Sequence, residues 1–285
     1  MLIDAHVHVF SPSQRERRAE IAAADRSFAA IYSDPRAKMA TADDLLAMLD
    51  ADGLDGAVAA GFAFEGAREI DEQNAALFEA AKNSAGRVAA VATLNLAAEG
   101  WQRTAGAALG LGARGFGELR PADQGWDPLG DASHDLCELA AAARVPLLWH
   151  VSEPVGHTYA GKEGGISPVD LIRLASDHPR TTMVAAHLGG GISFYLQMPE
   201  VRSAIENIYF DTAAAPLLYD DWSVTRLVEL AGAGRVLFAS DYPLLRPLRQ
   251  LDGLRAVLPQ AAAVQVLGGN AGRLFFGAAT PNAAS

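Results

Sequence analysis

The chain contains seven histidines. Five of them, His6, His8, His150, His157 and His187, fall at or just past the C-terminal ends of short apolar runs that read as β-strands. His6 and His8 form an H-x-H pair, and a strand sends alternate side chains to one face, so both imidazoles would point the same way. Neutral imidazole is a good ligand for zinc, manganese, iron or nickel. Two carboxylates hold similar strand-end positions: Glu118 in Gly117-Glu118-Leu119-Arg120, and Asp241 in Phe238-Ala239-Ser240-Asp241-Tyr242-Pro243. Each residue alone has an ordinary explanation. A lone strand-end histidine is usually a hydrogen-bonded polar group, Asp241 could cap the next turn, and Glu118 could pair with Arg120. Together they describe a site for one or two divalent cations. Water bound to such an ion can have a pKa near ~7, and a carboxylate within reach could take its proton.

The site needs parallel strands that bring these ends together. Apolar runs recur at 2–9, 55–62, 87–95, 113–119, 145–151, 181–188, 207–212 and 235–240. They are continuously apolar, as in strands covered on both faces. Helix-like stretches lie between them at 43–52, 69–83, 100–110, 134–143, 168–176 and 223–231. Thr41 ahead of Asp43-Asp44 reads as a helix start with acids against the macrodipole, and Ser167-Pro168 opens another helix. This alternation predicts an α/β protein with a (β/α)8 TIM barrel, whose C-terminal strand ends form the catalytic face. A doubly wound open sheet is the alternative.

One domain is expected over 1–285. Residues 10–40 are too long for an ordinary loop, and the spacing of Phe28, Ile31 and Tyr32 predicts a helical insertion over the barrel mouth. The tail at 278–285 is expected to fray. The Gly- and Pro-containing segment 153–167 follows the fifth strand and supplies candidate substrate contacts in His157, Tyr159 and Lys162, with Lys162 or Arg120 meeting a carboxylate. A solvated loop is the plainer reading. His134 and His178 read as surface or capping residues, Gly189-Gly190-Gly191 as a turn, and Asn270 as the N-cap of the last helix.

The formal net charge of −11 makes nucleic acid and anionic membranes poor partners and leaves a small molecule as the expected one. No apolar run approaches the roughly 18 residues of a membrane helix. The N-terminus enters a strand-like run without the regions of a signal peptide. Cys137 is the single cysteine, in an Ala-rich helical stretch where a small core residue is expected; a cytoplasmic location fits.

The segments DAHVHVF (4–10), WHVSEPVGH (149–157), AHLGGG (186–191), FASDYP (238–243) and LGGNAGRLF (267–275) resemble the amidohydrolase superfamily. The nearest branch is amidohydrolase-2, which includes the aminocarboxymuconate-semialdehyde decarboxylase-like enzymes. The resemblance runs through nearly the whole chain. It implies that His6, His8, His150 and Asp241 are metal ligands and that Asp241 doubles as a base. His187 would orient or deprotonate the water, or bind a second metal. Glu118 departs from the decarboxylase-like members. It is similar to a bridging glutamate of TatD-like hydrolases, while the strand-end lysine of other two-metal members is missing. The expected cofactor is zinc, with manganese as the alternative. The branch often forms dimers, so a homodimer stays open.

Three functions follow. The first is metal-dependent hydrolysis of an amide, lactone or ester. The alternative is non-oxidative decarboxylation of an aromatic or unsaturated carboxylic acid. The third is a barrel that binds metal and ligand without turnover, which the complete ligand set disfavours.

Overall fold

A computed structural model of the chain describes residues 1–277, so the expected fraying of 278–285 lies outside the described residues. Eight short strands alternate with helices: β1 (Ile3–His8), β2 (Gly56–Ala60), β3 (Val88–Ala90), β4 (Phe116–Leu119), β5 (Leu147–Trp149), β6 (Met183–Ala185), β7 (Ile208–Asp211) and β8 (Val236–Leu237). Neighbours pair in parallel within a β1-β2-β3 sheet and a β4-β5-β6-β7-β8 sheet. Both seams are bridged. Ala92 pairs with Phe116 beyond β3, and Val7 pairs with Tyr242 beyond β8. The Ala5 amide also donates to the Phe238 carbonyl (2.8 Å) and the His8 amide to that of Tyr242 (2.7 Å). Hydrogen bonds therefore link each strand to the next around a TIM barrel.

The strands separate two apolar shells. Ala57, Ala59, Trp149, Ala185 and Phe210 face outward and pack with helix residues such as Leu49, Leu77, Leu136 and Leu171. Val58, Ala60, Ala89, Leu148, Val184 and Leu237 face inward with Ala271 and Phe275 of the last helix, Asn270–Phe276. On β1, Ile3 and Ala5 belong to the inner shell but Val7 and Val9 to the outer one. The alternation changes phase across a register shift between Asp4 and Val7. Past that shift, His6 and His8 stand on the inner face, opposite Val7 and Val9.

The insertion folds as three short helices, Pro12–Glu16, Arg18–Ala24 and Arg26–Tyr32. A capping box at Ser11 starts the first. Phe28 and Tyr32 stack with ring centroids 4.7 Å apart and pack with Phe10, Phe62 and Phe64 into a separate cluster. Arg17 reaches Glu69 (2.9 Å) and Glu72 (2.7 Å) and so ties the insertion to the helix Ala67–Asn83.

Two local expectations need correction. Most strands are shorter than their apolar runs, because the chain leaves the ladder where it turns toward the barrel mouth. Asn270 is not an N-cap. It lies inside the helix, and its amide donates to the carbonyls of Ala233 and Val236 (2.7 Å each), clamping the start of β8. Cys137 is a buried core residue, as its Ala-rich context suggests.

Candidate metal centre

The six donors reach the barrel mouth from five strand ends. His6 and His8 come from β1, Glu118 from β4, His150 follows β5, His187 follows β6, and Asp241 follows β8. His6, His8 and Asp241 form one triad of donor atoms within 4.8 Å of one another, and Glu118, His150 and His187 form a second. Glu118 joins the two triads. Its Oε1 lies 2.7 Å from His150 Nδ1, 3.5 Å from His187 Nε2 and 4.0 Å from His6 Nε2, and its Oε2 lies 3.8 Å from His8 Nε2. Asp241 Oδ1 is 3.3 Å from His8 Nε2. The glutamate makes no ion pair with Arg120, which instead pairs with Asp123 at 2.6 Å.

The donor set fits a divalent cation. His6 is fully buried, and its Nδ1 lies 2.9 Å from Asp211 Oδ2. A carboxylate there selects the Nδ1–H tautomer and leaves a lone pair on Nε2. That Nε2 is buried and has no hydrogen-bond partner. An unsatisfied buried polar atom costs about 1–3 kcal/mol, a cost that ligation would remove. Four imidazoles and two carboxylates match the borderline ligands of zinc and manganese.

Backbone strain collects at the same place. Six described non-glycine residues have positive φ, and three of them, His187 (56°), Ala214 (54°) and Asp241 (64°), line the cavity above the donors. Such conformations are costly and cluster where function over-determines them.

The charges of the cluster are shaped by one another. Burial alone would lower the His6 pKa, but Asp211, Glu118 and Asp241 outweigh it and raise it to about 10. His187 is raised to about 9 against burial, by Glu118, Asp241 and Asp211. Burial and then Arg120 lower His150 to about 4. Burial pushes Asp241 up, yet His8, His187 and His6 bring it down to about 2. Glu118 is likewise held well below its ordinary value by His150, His187 and His6 despite burial.

A cavity of roughly 370 Å³ opens over the cluster. His8, Glu118, His150, His187 and Asp241 line its floor, and Tyr32, Phe62, Leu217, Leu218 and Leu244 supply apolar walls. Of the loop residues suggested by the sequence, Arg120, His157 and Tyr159 line it. Lys162 does not. Its ammonium donates to the carbonyls of Val155 (2.6 Å) and His157 (2.8 Å) and shapes the loop from within. Arg120 donates from Nη2 to the carbonyls of Gly161 (3.0 Å) and Glu163 (2.6 Å), so it too anchors this loop. Tyr159 and Tyr219 both donate to Glu153, which ties the loop after β5 to the segment after β7.

The sequence reading missed Asp211, Lys38 and Phe62. Asp211 ends an apolar strand just as Asp241 does, so the same strand-end rule would have found it. Phe62 closes the apolar run 55–62, which reads only as part of a strand, and Lys38 lies outside the regular elements and gave no signal. His134 and His178 stay on the outer helical layer, where His134 Nδ1 and His178 Nε2 are 2.6 Å apart and His178 also meets Glu138.

A family model described as amidohydrolase matches residues 3–277. No curated protein matches. Solved structures share the fold at low identity. A 5-carboxyvanillate decarboxylase from Sphingomonas paucimobilis superposes with a TM-score of 0.77 at 18% identity, over 96% of this chain and 98% of that one. A 5-carboxyvanillate decarboxylase from Novosphingobium aromaticivorans, complexed with manganese and 4-hydroxy-3-methoxy-5-nitrobenzoic acid, gives 0.75 at 16% identity over 97% and 96%. A 4-oxalomesaconate hydratase from Rhodopseudomonas palustris gives 0.68 at 18% identity over 96% and 95%.

Proposed function

The chain belongs to the amidohydrolase family, and from that premise we propose that it is a metal-dependent decarboxylase of an aromatic or unsaturated carboxylic acid. The sequence alone put hydrolysis first. The order reverses because the similar solved structures include decarboxylases of aromatic acids, one of them holding manganese and a nitrobenzoic acid. The observation that carries the reading is the cavity itself: a floor of imidazoles and carboxylates under apolar walls of Tyr32, Phe62 and leucines, matched to a flat acid.

His6, His8, His150 and Asp241 would hold the metal, with Glu118 and His187 close enough to share it or hold a second ion. Manganese is favoured by the similar structures, and zinc remains compatible with the donors. When bound, the ion supplies a Lewis acid that draws the substrate's oxygens to the floor and offsets their charge. The chain's residues do the rest. Tyr32 and Phe62 would flank the substrate's flat body, and Arg120, His157 and Tyr159 would border its outer edge. His187 as an imidazolium delivers a proton to the carbon that bears the carboxylate. The carbon–carbon bond then breaks, the bonding pair stays with the substrate, and carbon dioxide leaves. Asp241, held as a carboxylate, keeps His187 charged and helps it regain a proton from solvent.

One observation favours a second reading: the donors divide into two triads joined by Glu118, which suits a two-metal hydrolase. Both readings are tested by loading the protein with manganese or zinc and offering a panel of aromatic and unsaturated acids beside a panel of lactones, esters and amides. Decarboxylation predicts carbon dioxide from the first panel only. Acid release from the second panel, without carbon dioxide from the first, would replace it with hydrolysis.

A further inference from the structure

We infer that His134 and His178, on the outer helical layer, form a second cation site, separate from the barrel mouth, that takes one borderline divalent ion such as zinc through two imidazole nitrogens. His134 sits on the helix Asp131–Ala143, and His178 caps the end of the helix Pro168–Asp177. His134 Nδ1 lies 2.6 Å from His178 Nε2, with the ring centroids 4.9 Å apart. The other nitrogen of His178 donates to Glu138 Oε1 (3.1 Å), while Glu138 Oε2 accepts from Arg180 (2.9 Å). Glu138 follows His134 by one helical turn, so both reach the same neighbour. A carboxylate behind His178 Nδ1 selects the Nδ1–H tautomer and aims the lone pair of Nε2 at His134. Asp211 treats His6 in the same way at the barrel centre.

The pair is built to accept an ion with little rearrangement. His178 is 9% exposed, so its ring is already fixed and largely dehydrated. One proton lies between the two nitrogens, and a cation can take its place. At zinc–nitrogen distances of ~2.0–2.1 Å, two imidazole nitrogens of a tetrahedral shell stand roughly 3.3 Å apart, so the rings need to separate by less than about an ångström. His134 is only half-buried and can supply that movement. Its Nδ1 proton goes to solvent and its Nε2 takes one up, so both rings remain neutral donors. The depression in front of His134 also holds Asp177 and Glu200, while Arg173 in its wall pairs with Asp170 (3.4 Å). These carboxylates attract a cation and can complete its shell, directly or through water. An ion there would tie the helix before β5 to the helix before β6.

The test counts zinc ions per chain by native mass spectrometry at buffered free zinc. At about 10 µM free zinc the wild type should carry one ion more than His134→Gln or His178→Gln. Equal counts in the wild type and both variants would overturn the inference. So would an ion that enters the wild type only above about 1 mM free zinc, the strength of an ordinary surface histidine. Glu138→Gln keeps both imidazoles and decides the matter where a histidine variant does not fold. It should shift the filling of this one ion to about 10–100-fold higher free zinc, and an unshifted curve would overturn the inference as well.

Discussion

Asp211 Oδ2 lies 2.9 Å from His6 Nδ1 inside the barrel, where both side chains are fully buried. The other oxygen of Asp211 accepts from the amides of His187 and Ala213 (3.0 Å each). One carboxylate therefore fixes the tautomer of one donor and the backbone position of another. A carboxylate behind a ligating imidazole is a recurrent device for orienting the ring and raising its basicity.

Asp211→Asn should separate these roles. The amide oxygen can still accept from the His187 and Ala213 amides, but the –NH2 group facing His6 Nδ1 favours the tautomer with its proton on Nε2. Metal affinity should fall by about 10–100-fold, read by competition titration with a chelating dye, while circular dichroism stays that of the wild type. Unchanged affinity would remove Asp211 from the centre.

Gly165 packs directly on His150. A Cβ at 165 would stand 2.1 Å from the His150 carbonyl oxygen and 2.7 Å from its ring Cδ2. Gly165→Ala must push that imidazole aside. Overpacking of this kind costs about 1–3 kcal/mol of stability, and retained metal, measured by plasma mass spectrometry after dialysis, should fall by at least half. Full occupancy at wild-type stability would show that the loop yields instead.

Metal binding should strengthen with rising pH. In the metal-free protein the neighbouring carboxylates raise the ligand His6 to about 10, against burial. A protonated imidazole has no lone pair to give, so below this value the ion must displace its proton. Affinity should climb by about tenfold per pH unit for each proton displaced and level off as pH passes the raised value. Manganese titrations at pH 6, 7 and 8 measure the slope, and calorimetry in buffers of different ionisation enthalpy counts the protons released. A flat profile would contradict it.

Asp4 gives a stability prediction of opposite sign. Burial raises its carboxyl from 3.8 to about 7, although hydrogen bonds from Ser240 and His6 and the charge of His6 lower it. A carboxyl whose folded-state pKa lies above its unfolded value holds its proton more tightly when folded. Its contribution is complete below about pH 4 and is lost as pH rises through about 7. Asp4→Asn mimics the protonated form and lacks this loss. Between pH 5 and pH 8 the wild type should therefore lose stability relative to the variant, on the order of 2 kcal/mol. Urea unfolding at the two pH values checks it, and parallel curves would exclude the effect.

The strand ends were the legible part. Continuous apolar runs with a histidine or carboxylate at their C-terminal edge placed His6, His8, Glu118, His150, His187 and Asp241 on one face, because a parallel barrel gathers those edges. The direction of each side chain was less legible. H-x-H says that His6 and His8 share a face, but the phase change between Asp4 and Val7 is a tertiary event that decides which face. Contact partners were the least legible. Glu118 had Arg120 two residues away as a plausible partner, yet the fold gives Arg120 to Asp123 and Glu118 to the histidines. Lys162 has the right charge for a substrate anion, but loop geometry spends it on carbonyls. Lys38, with no periodicity around it, becomes visible only once the cavity has walls.

The most direct measurement is an anomalous difference map from crystals of the protein grown with manganese. The account predicts a peak at the barrel mouth bounded by His6, His8, His150 and Asp241, with any second peak beside Glu118 and His187. A well-ordered barrel whose mouth holds no anomalous density, or whose manganese binds elsewhere, would contradict it.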